Sequence, residues 1–294
     1  MKLTVSLKIA ATLATLLSAV PFALAAAEAA PATSNEVVSI FPDPALESAV
    51  RRQVFAKRNN NEPITAEDVA DIAIIEGRGL GIKNLTGLEY CRKVALINFA
   101  ENEITDLTPL AGLPRLQSLD LSKNQIKDLQ PLVTNTALQY LDLSFNRLRK
   151  IEAVAGLTNL AALLVSHNNL ADVSPAFGLS RLNSLHLDGN RVRSLEGIGG
   201  LKRLDLLSAA NNRISKLEPL KELTNLRFLS LEENRMRDLQ PLVDMAEQDA
   251  QGERRFAPFL RLYLQGNRLD GKKARAQLEQ LRKTGVKVHP EPAG

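Results

Sequence analysis

Asn102, Asn124, Asn146, Asn168, Asn190, Asn212 and Asn234 recur at an unbroken spacing of 22 residues, and Asn267 follows the last of them by 33. The residues five and three before each Asn are apolar almost without exception, as in Leu119 and Leu121, or Leu141 and Leu143. An apolar residue follows two after, for instance Ile126 or Leu148, and more fall five, eight and eleven after, as Leu107, Leu110 and Leu113 do. An alternation of period two buries one face of a strand and leaves the other free. A turned chain inside a stack holds buried amide groups that need partners. An Asn side chain both donates and accepts, so one Asn per coil satisfies them. No single unit of this kind buries its own apolar edges, so the units must stack.

Pro109, Pro131, Pro175, Pro219 and Pro241 stand seven residues after their Asn. Proline tolerates a first helical position, where its missing N–H has no partner to lose. The spacing therefore predicts short 3₁₀-like segments on the side away from the strands.

These units resemble the leucine-rich repeats of the internalin class and of the related phosphatase-regulator (SDS22-like) class. The resemblance covers roughly Ile72 to Asn267 and rests on eight Asn-bearing units, seven of them in strict phase. It implies an α/β solenoid: a leucine-rich repeat horseshoe or arc, with parallel β-strands on the concave face and 3₁₀ or irregular segments on the convex face.

A solenoid needs caps, because its end coils otherwise expose core. In "FPDPALESAV", Asp43 is placed to cap a helix that Pro44 begins, with Leu46, Ala49, Val50 and Val54 on one face. Thr65 and Asp68 have capping-box spacing, with Ile64 and Val69 placed as a staple. A helical N-terminal cap over residues 39–71 follows, similar to that of internalin-like proteins. "GIKNLTGLEY" reads as a degenerate first repeat, with Leu80 at the Asn position. The repeats are assigned to residues 72–269, with an eleven-residue polar insertion at about 246–256 that is expected to form a bulging loop or a longer helix in one convex segment. Residues 270–294 are assigned to a C-terminal cap: a helix over Lys272–Lys283, Gly285 ending it, and an edge strand over Val286–Val288.

The first 25 residues read as a secretory signal peptide, with Lys2 and Lys8 ahead of an apolar run and "ALA" at Ala23–Ala25. The run is shorter than the ~20 residues that span a bilayer as a helix. The expectation is an exported protein, periplasmic or secreted, without stable membrane insertion once the signal is cut, and with residues 26–38 as a linker. Removing Lys2 and Lys8 lowers the formal charge from +4 to +2, a balance without the bulk attraction that nucleic-acid binding relies on. The single Cys91 has no partner for an internal disulfide. It falls eleven residues after Leu80, a core position in later repeats, which argues against a nucleophile. The reading is therefore a non-enzyme with no cofactor. His186, Asp188 and His167 show no recognised ligand spacing, and no metal is expected.

Function on such a scaffold falls to the exposed strand face. Strands lie about 4.8 Å apart, so equivalent positions form ladders. Leu206, Phe228, Arg261 and Tyr263 are contiguous on this map, and aromatic residues with an Arg are what binding hot spots are made of. Tyr140, Phe145 and Leu164 form a second grouping. Asp120 and Asp142 are ladder neighbours that read as common repeat vocabulary. Arg147, Arg191, Arg213, Arg235 and Arg268 recur one residue after the Asn, with Arg149, Arg193 and Arg237 two further on. Interleaved acids such as Asp172, Glu196 and Asp238 suggest a salt-bridged, solvated edge. The function expected is protein–protein recognition or adhesion through the concave face. An envelope scaffold or a binder of anionic glycans is the alternative, and a phosphatase-regulator-like role is less favoured because it needs a cytosolic protein.

Overall fold

The computed structural model describes residues 38–252 and 254–289. The signal-peptide reading lies outside them.

The described residues form one ten-stranded sheet in which every strand pairs in parallel with its neighbours in chain order. The strands are β1 (Ile74–Glu76), β2 (Leu96–Asn98), β3 (Ser118–Asp120), β4 (Tyr140–Asp142) and β5 (Ala162–Leu164). They continue through β6 (Ser184–His186), β7 (Leu206–Ser208), β8 (Phe228–Ser230), β9 (Arg261–Tyr263) and β10 (Lys287–His289). Each is three residues long, because the repeat turns away at the Asn. Register is maintained by the apolar pattern: Leu119 pairs with Leu141, Leu141 with Leu163 and Leu163 with Leu185, and all four are wholly buried.

One coil shows the packing. Leu141, Leu143, Leu148, Ile151, Val154, Leu157 and Leu160 are each 1% exposed or less. Burying each such side chain contributes about 1.5–3 kcal/mol before conformational entropy is charged against it.

The asparagines tie each coil to the one before. In all eight, Oδ1 accepts the N–H of the preceding coil's inward-facing residue two past its own Asn position, at 2.9–3.1 Å. The Nδ2 donates to the preceding coil's carbonyl three before that position, at 2.8–2.9 Å. It also donates to the same carbonyl of its own coil. The direction explains Leu80. Each Asn serves its predecessor, so the first coil needs none, and Leu80 packs against the core instead.

The prolines at 109, 131, 175 and 219 sit in 3₁₀ segments. Pro241 differs. It begins α3 (Gln240–Gln251), a twelve-residue α-helix burying Leu242, Val243, Met245 and Ala246. Of the two forms expected for the insertion, the structure takes the longer helix, and it buries part of the segment rather than leaving it wholly at the surface. Ala246 is fully buried and Phe256 is 1% exposed. Asp249 draws the chain back after the helix, its carboxylate accepting the N–H groups of Arg255, Phe256 and Ala257 at 2.8–3.1 Å.

Two helices precede β1: α1 (Pro44–Arg51) and α2 (Ala66–Val69). Asp43 Oδ1 accepts from Ala45 and Leu46 N–H, and Oδ2 from Lys83 and Asn84 N–H, so one carboxylate caps the helix and fastens it to the first coil. Burial pushes that carboxyl up, but the four amide donors outweigh it and hold it below its ordinary value. At the other end, α4 (Gly271–Lys283) begins one residue earlier than expected. The last strand begins and ends one residue later, because pairing opens with Lys287 N–H donating to Leu260 O.

Candidate recognition surface

The sheet face carries two distinct regions. At its C-terminal end, Leu206 pairs in register with Phe228, and Phe228 with Arg261. The Phe228 and Tyr263 ring centroids are 5.1 Å apart, tilted by 36°. Tyr263 then stacks on His289 at 4.8 Å and 15°. Three rings thus run across β8, β9 and β10. Arg261 is exposed, whereas Leu206, Phe228 and Tyr263 are half-buried against one another. Sequence reading missed His289. The period-two alternation through Val288 was its available signal, since a buried Val288 places residue 289 on the outer face.

The second grouping assembles differently from the sequence map. Tyr140 lies in β4, half-buried, beside Ala162. Phe145 takes φ 57° in the turn after the strand, so its ring leaves that row. It stacks on His167 of the next coil at 4.2 Å and 15°, and remains 48% exposed. Gly189 follows in the same series at φ +65°, where an added Cβ would come within 2.5 Å of His167 Nδ1. Glycine there leaves space for the imidazole.

The carboxylates in the middle of the face serve the scaffold. Asp120 Oδ1 accepts from Ser122 N–H and Oγ, and Asp142 Oδ1 from Ser144 N–H at 2.8 Å. Asp188 spans three coils, accepting from Ser208 Oγ (2.7 Å), Ala210 N–H (2.8 Å) and Ser166 Oγ (3.2 Å). His186 Nε2 meets Ser184 Oγ at 3.1 Å, while His167 is occupied by Phe145. Among the described residues no group of three or more His, Cys, Asp or Glu is placed to hold a metal ion. Burial pushes the Tyr140 phenol up to about 12, with the charges of Asp142 and Asp120 adding to it. Cys91 is buried, and desolvation, then Glu89, pushes its thiol up to about 12, far from a reactive thiolate.

Asp142 is raised above its ordinary value, chiefly by burial and despite its bonds to Ser144. His186 is lowered, chiefly by burial, against the charges of Asp188 and Asp142. For Asp142 the folded state holds the proton more tightly than the unfolded chain. Its ionisation thus costs nothing below the unfolded carboxyl value of about 3.9 and its full amount once pH exceeds the raised value. Asp142→Asn keeps the acceptor for Ser144 and is expected to raise Tm at pH 7 but not at pH 3. Calorimetry at both pH values checks this, and an equal shift at both would show that the charge is not the cause.

The sheet, the Asn bridges and the coil interior define a leucine-rich repeat protein. The leucine-rich repeat family model matches residues 114–170, and a two-copy leucine-rich repeat model matches residues 202–243. The crystal structure of internalin C2 from Listeria monocytogenes is 31% identical, with a TM-score of 0.66 over 70% of this chain and 91% of that one. The chain belongs to the internalin-like leucine-rich repeat family. The functional domain of InlJ from Listeria monocytogenes shares the fold at 22% identity, TM-score 0.56, over 82% of this chain and 54% of that one. A plant peptide hormone receptor, RGFR1, solved in complex with RGF2, shares it at 24% identity and TM-score 0.52, over 62% of this chain and 30% of that one.

Proposed function

We propose that this protein is an exported recognition module that binds a protein partner on the concave face of its sheet. Leu206, Phe228, Arg261, Tyr263 and His289 form the centre of that site. The observation carrying this reading is the continuous ring series in which Phe228 packs tilted against Tyr263 and Tyr263 stacks on His289, beside an exposed Arg261. Rings already packed against one another lose little conformational freedom on binding, and aromatic residues and Arg dominate hot spots. Tyr140 and the Phe145–His167 pair form a subsidiary contact. Membership of the internalin-like family supports a binding role over a catalytic one. Export rests on the first 25 residues, and among the described residues no helix is long and apolar enough to cross a membrane.

The test compares crosslinking capture from envelope and host-cell extracts by the mature protein and by a Leu206→Glu, Phe228→Ala, Tyr263→Ala variant. Circular dichroism confirms the fold of both. Loss of a captured protein by at least about tenfold in the variant is expected. Equal capture would remove the site from the sheet face. Capture of nothing by either protein would favour the scaffold reading. N-terminal sequencing of the mature protein checks export, with a start after Ala25 expected.

A further inference from the structure

The arginine series after the Asn does not behave as a salt-bridged edge. In each coil the residue after the Asn donates its N–H to the preceding coil, as Arg147 does to Ile126 O, Arg191 to Leu170 O, Arg213 to Val192 O and Arg235 to Ile214 O, at 2.8–2.9 Å. These bonds build a second parallel wall beside the sheet. Its middle residue points inward, as the fully buried Leu148, Val192, Ile214 and Met236 do. The residues one and three after the Asn therefore point outward together. Arg213 is half-buried, and Arg147, Arg149, Arg191, Arg193, Arg235, Arg237, Arg268 and Lys127 are exposed.

None of these nine cations makes an ion pair among the described residues. Three of the neighbouring carboxylates are engaged elsewhere. Asp128, Asp172 and Asp238 accept N–H bonds from Gln130, Ser174 and Gln240, two residues ahead of each, and Asp238 also takes Lys273. The stripe is bounded at one end by Glu103, paired with Lys83, and at the other by Asp270. Hollows between coils are lined by Lys127, Arg147, Arg149 and Asn169, and by Arg237 and Arg268. Asn169 Oδ1 orients Arg191 at 3.0 Å.

We infer that this edge is a second binding site, for a linear polysaccharide bearing sulfate or carboxylate groups and lying across successive coils. Arg191, Arg213 and Arg235 occupy consecutive coils about 4.8 Å apart, a straight row suited to a polymer with charge on each sugar or every second one. Guanidinium forks match planar carboxylates and sulfate oxygens better than ammonium groups do. The positions one and three after the Asn, which make the row, hold no aromatic residue on which a base would stack, which disfavours single-stranded nucleic acid.

The probe is heparin, titrated against the full mature protein at increasing NaCl. Three proteins are compared: wild type, Arg191→Ser/Arg213→Ser/Arg235→Ser, and a charge-matched control, Lys93→Ser/Lys202→Ser/Lys283→Ser, with circular dichroism on each. Salt-sensitive binding that the arginine variant weakens by about tenfold or more, and the control by less than about twofold, is expected. Retention of heparin binding by the Leu206→Glu, Phe228→Ala, Tyr263→Ala variant is also expected, because the two sites are separate. Equal weakening by both triple variants, or no binding by wild type at low salt, would overturn the inference. So would binding a single-stranded DNA oligonucleotide of matched charge as tightly as heparin.

Discussion

Asn168→Ala is expected to destabilise the protein by about 2–4 kcal/mol in urea denaturation, an effect set by amide groups that no water can reach. Asn168 Oδ1 is the acceptor for Leu148 N–H at 2.9 Å, and Nδ2 donates to Leu143 O at 2.9 Å and Val165 O at 3.1 Å. Leu143, Leu148 and Val165 are fully buried, with a complete coil on either side. Alanine leaves the Leu148 N–H with no acceptor, and an orphaned buried donor costs about 1–3 kcal/mol alone. The carbonyls lose less, since Asn146 still donates to Leu143 O and Asn190 to Val165 O. Asn168→Asp is expected to be no milder, because it keeps the acceptor but places a charge where the donor was. The comparison that tests the mechanism is Asn267→Ala. That residue makes the same bonds, to Met236 N–H and Leu231 O, but is only part-buried in the last Asn-bearing coil. Water can replace its bonds, so a loss of about 1 kcal/mol is expected. Equal losses at the two positions would show that the bridging bonds do not set the cost.

Phe256→Ala is expected to cost about 3–5 kcal/mol, the range for emptying a large aromatic site in a packed core. Phe256 is 1% exposed, and Asp249 fixes its backbone from seven residues away. α3 packs against α4, so the cavity would loosen the C-terminal cap as well as the insertion. Hydrogen exchange is expected to show lost protection over α3 and α4 before the central coils are affected. A dispensable surface loop would give a change within about 0.5 kcal/mol. That outcome would show that the insertion contributes no core of its own.

The central coils were legible because their pattern is local and repeated. The alternation at Leu119 and Leu121 specifies a strand with one buried face, and the same phase in every unit specifies a parallel stack. The caps were legible for a similar reason. Asp43 ahead of Pro44, and Thr65 three residues before Asp68, are short-range signals whose bonds form within one turn. Phe256 was not legible. It follows a polar stretch, and only the return of the chain around Asp249 turns its ring into the core.

The surface was legible as positions but not as partners. Phe145 occupies a predictable place in its coil, yet its backbone conformation turns the ring to His167. Asp172 and Asp238 are interleaved with the arginines in sequence, which suggested ion pairs. In the fold each accepts an N–H two residues ahead, and Asp238 is taken further by Lys273 of α4, a partner far away in sequence, so neither carboxylate pairs with the arginines beside it. Asn135 carried no ladder signal, but it is buried and donates to Leu110 O one coil back.

By itself, then, the sequence determined the coil, its period and which residues face inward, because hydrophobic alternation and turn chemistry act within a few residues of the chain. The tertiary structure decided which side chains meet across 22 residues. The ring series of Phe228, Tyr263 and His289, Asn bridges that reach back to the preceding coil, and arginines left without carboxylates all depend on how one coil is set against the next. That setting comes from the packing of the whole stack, which no single repeat encodes.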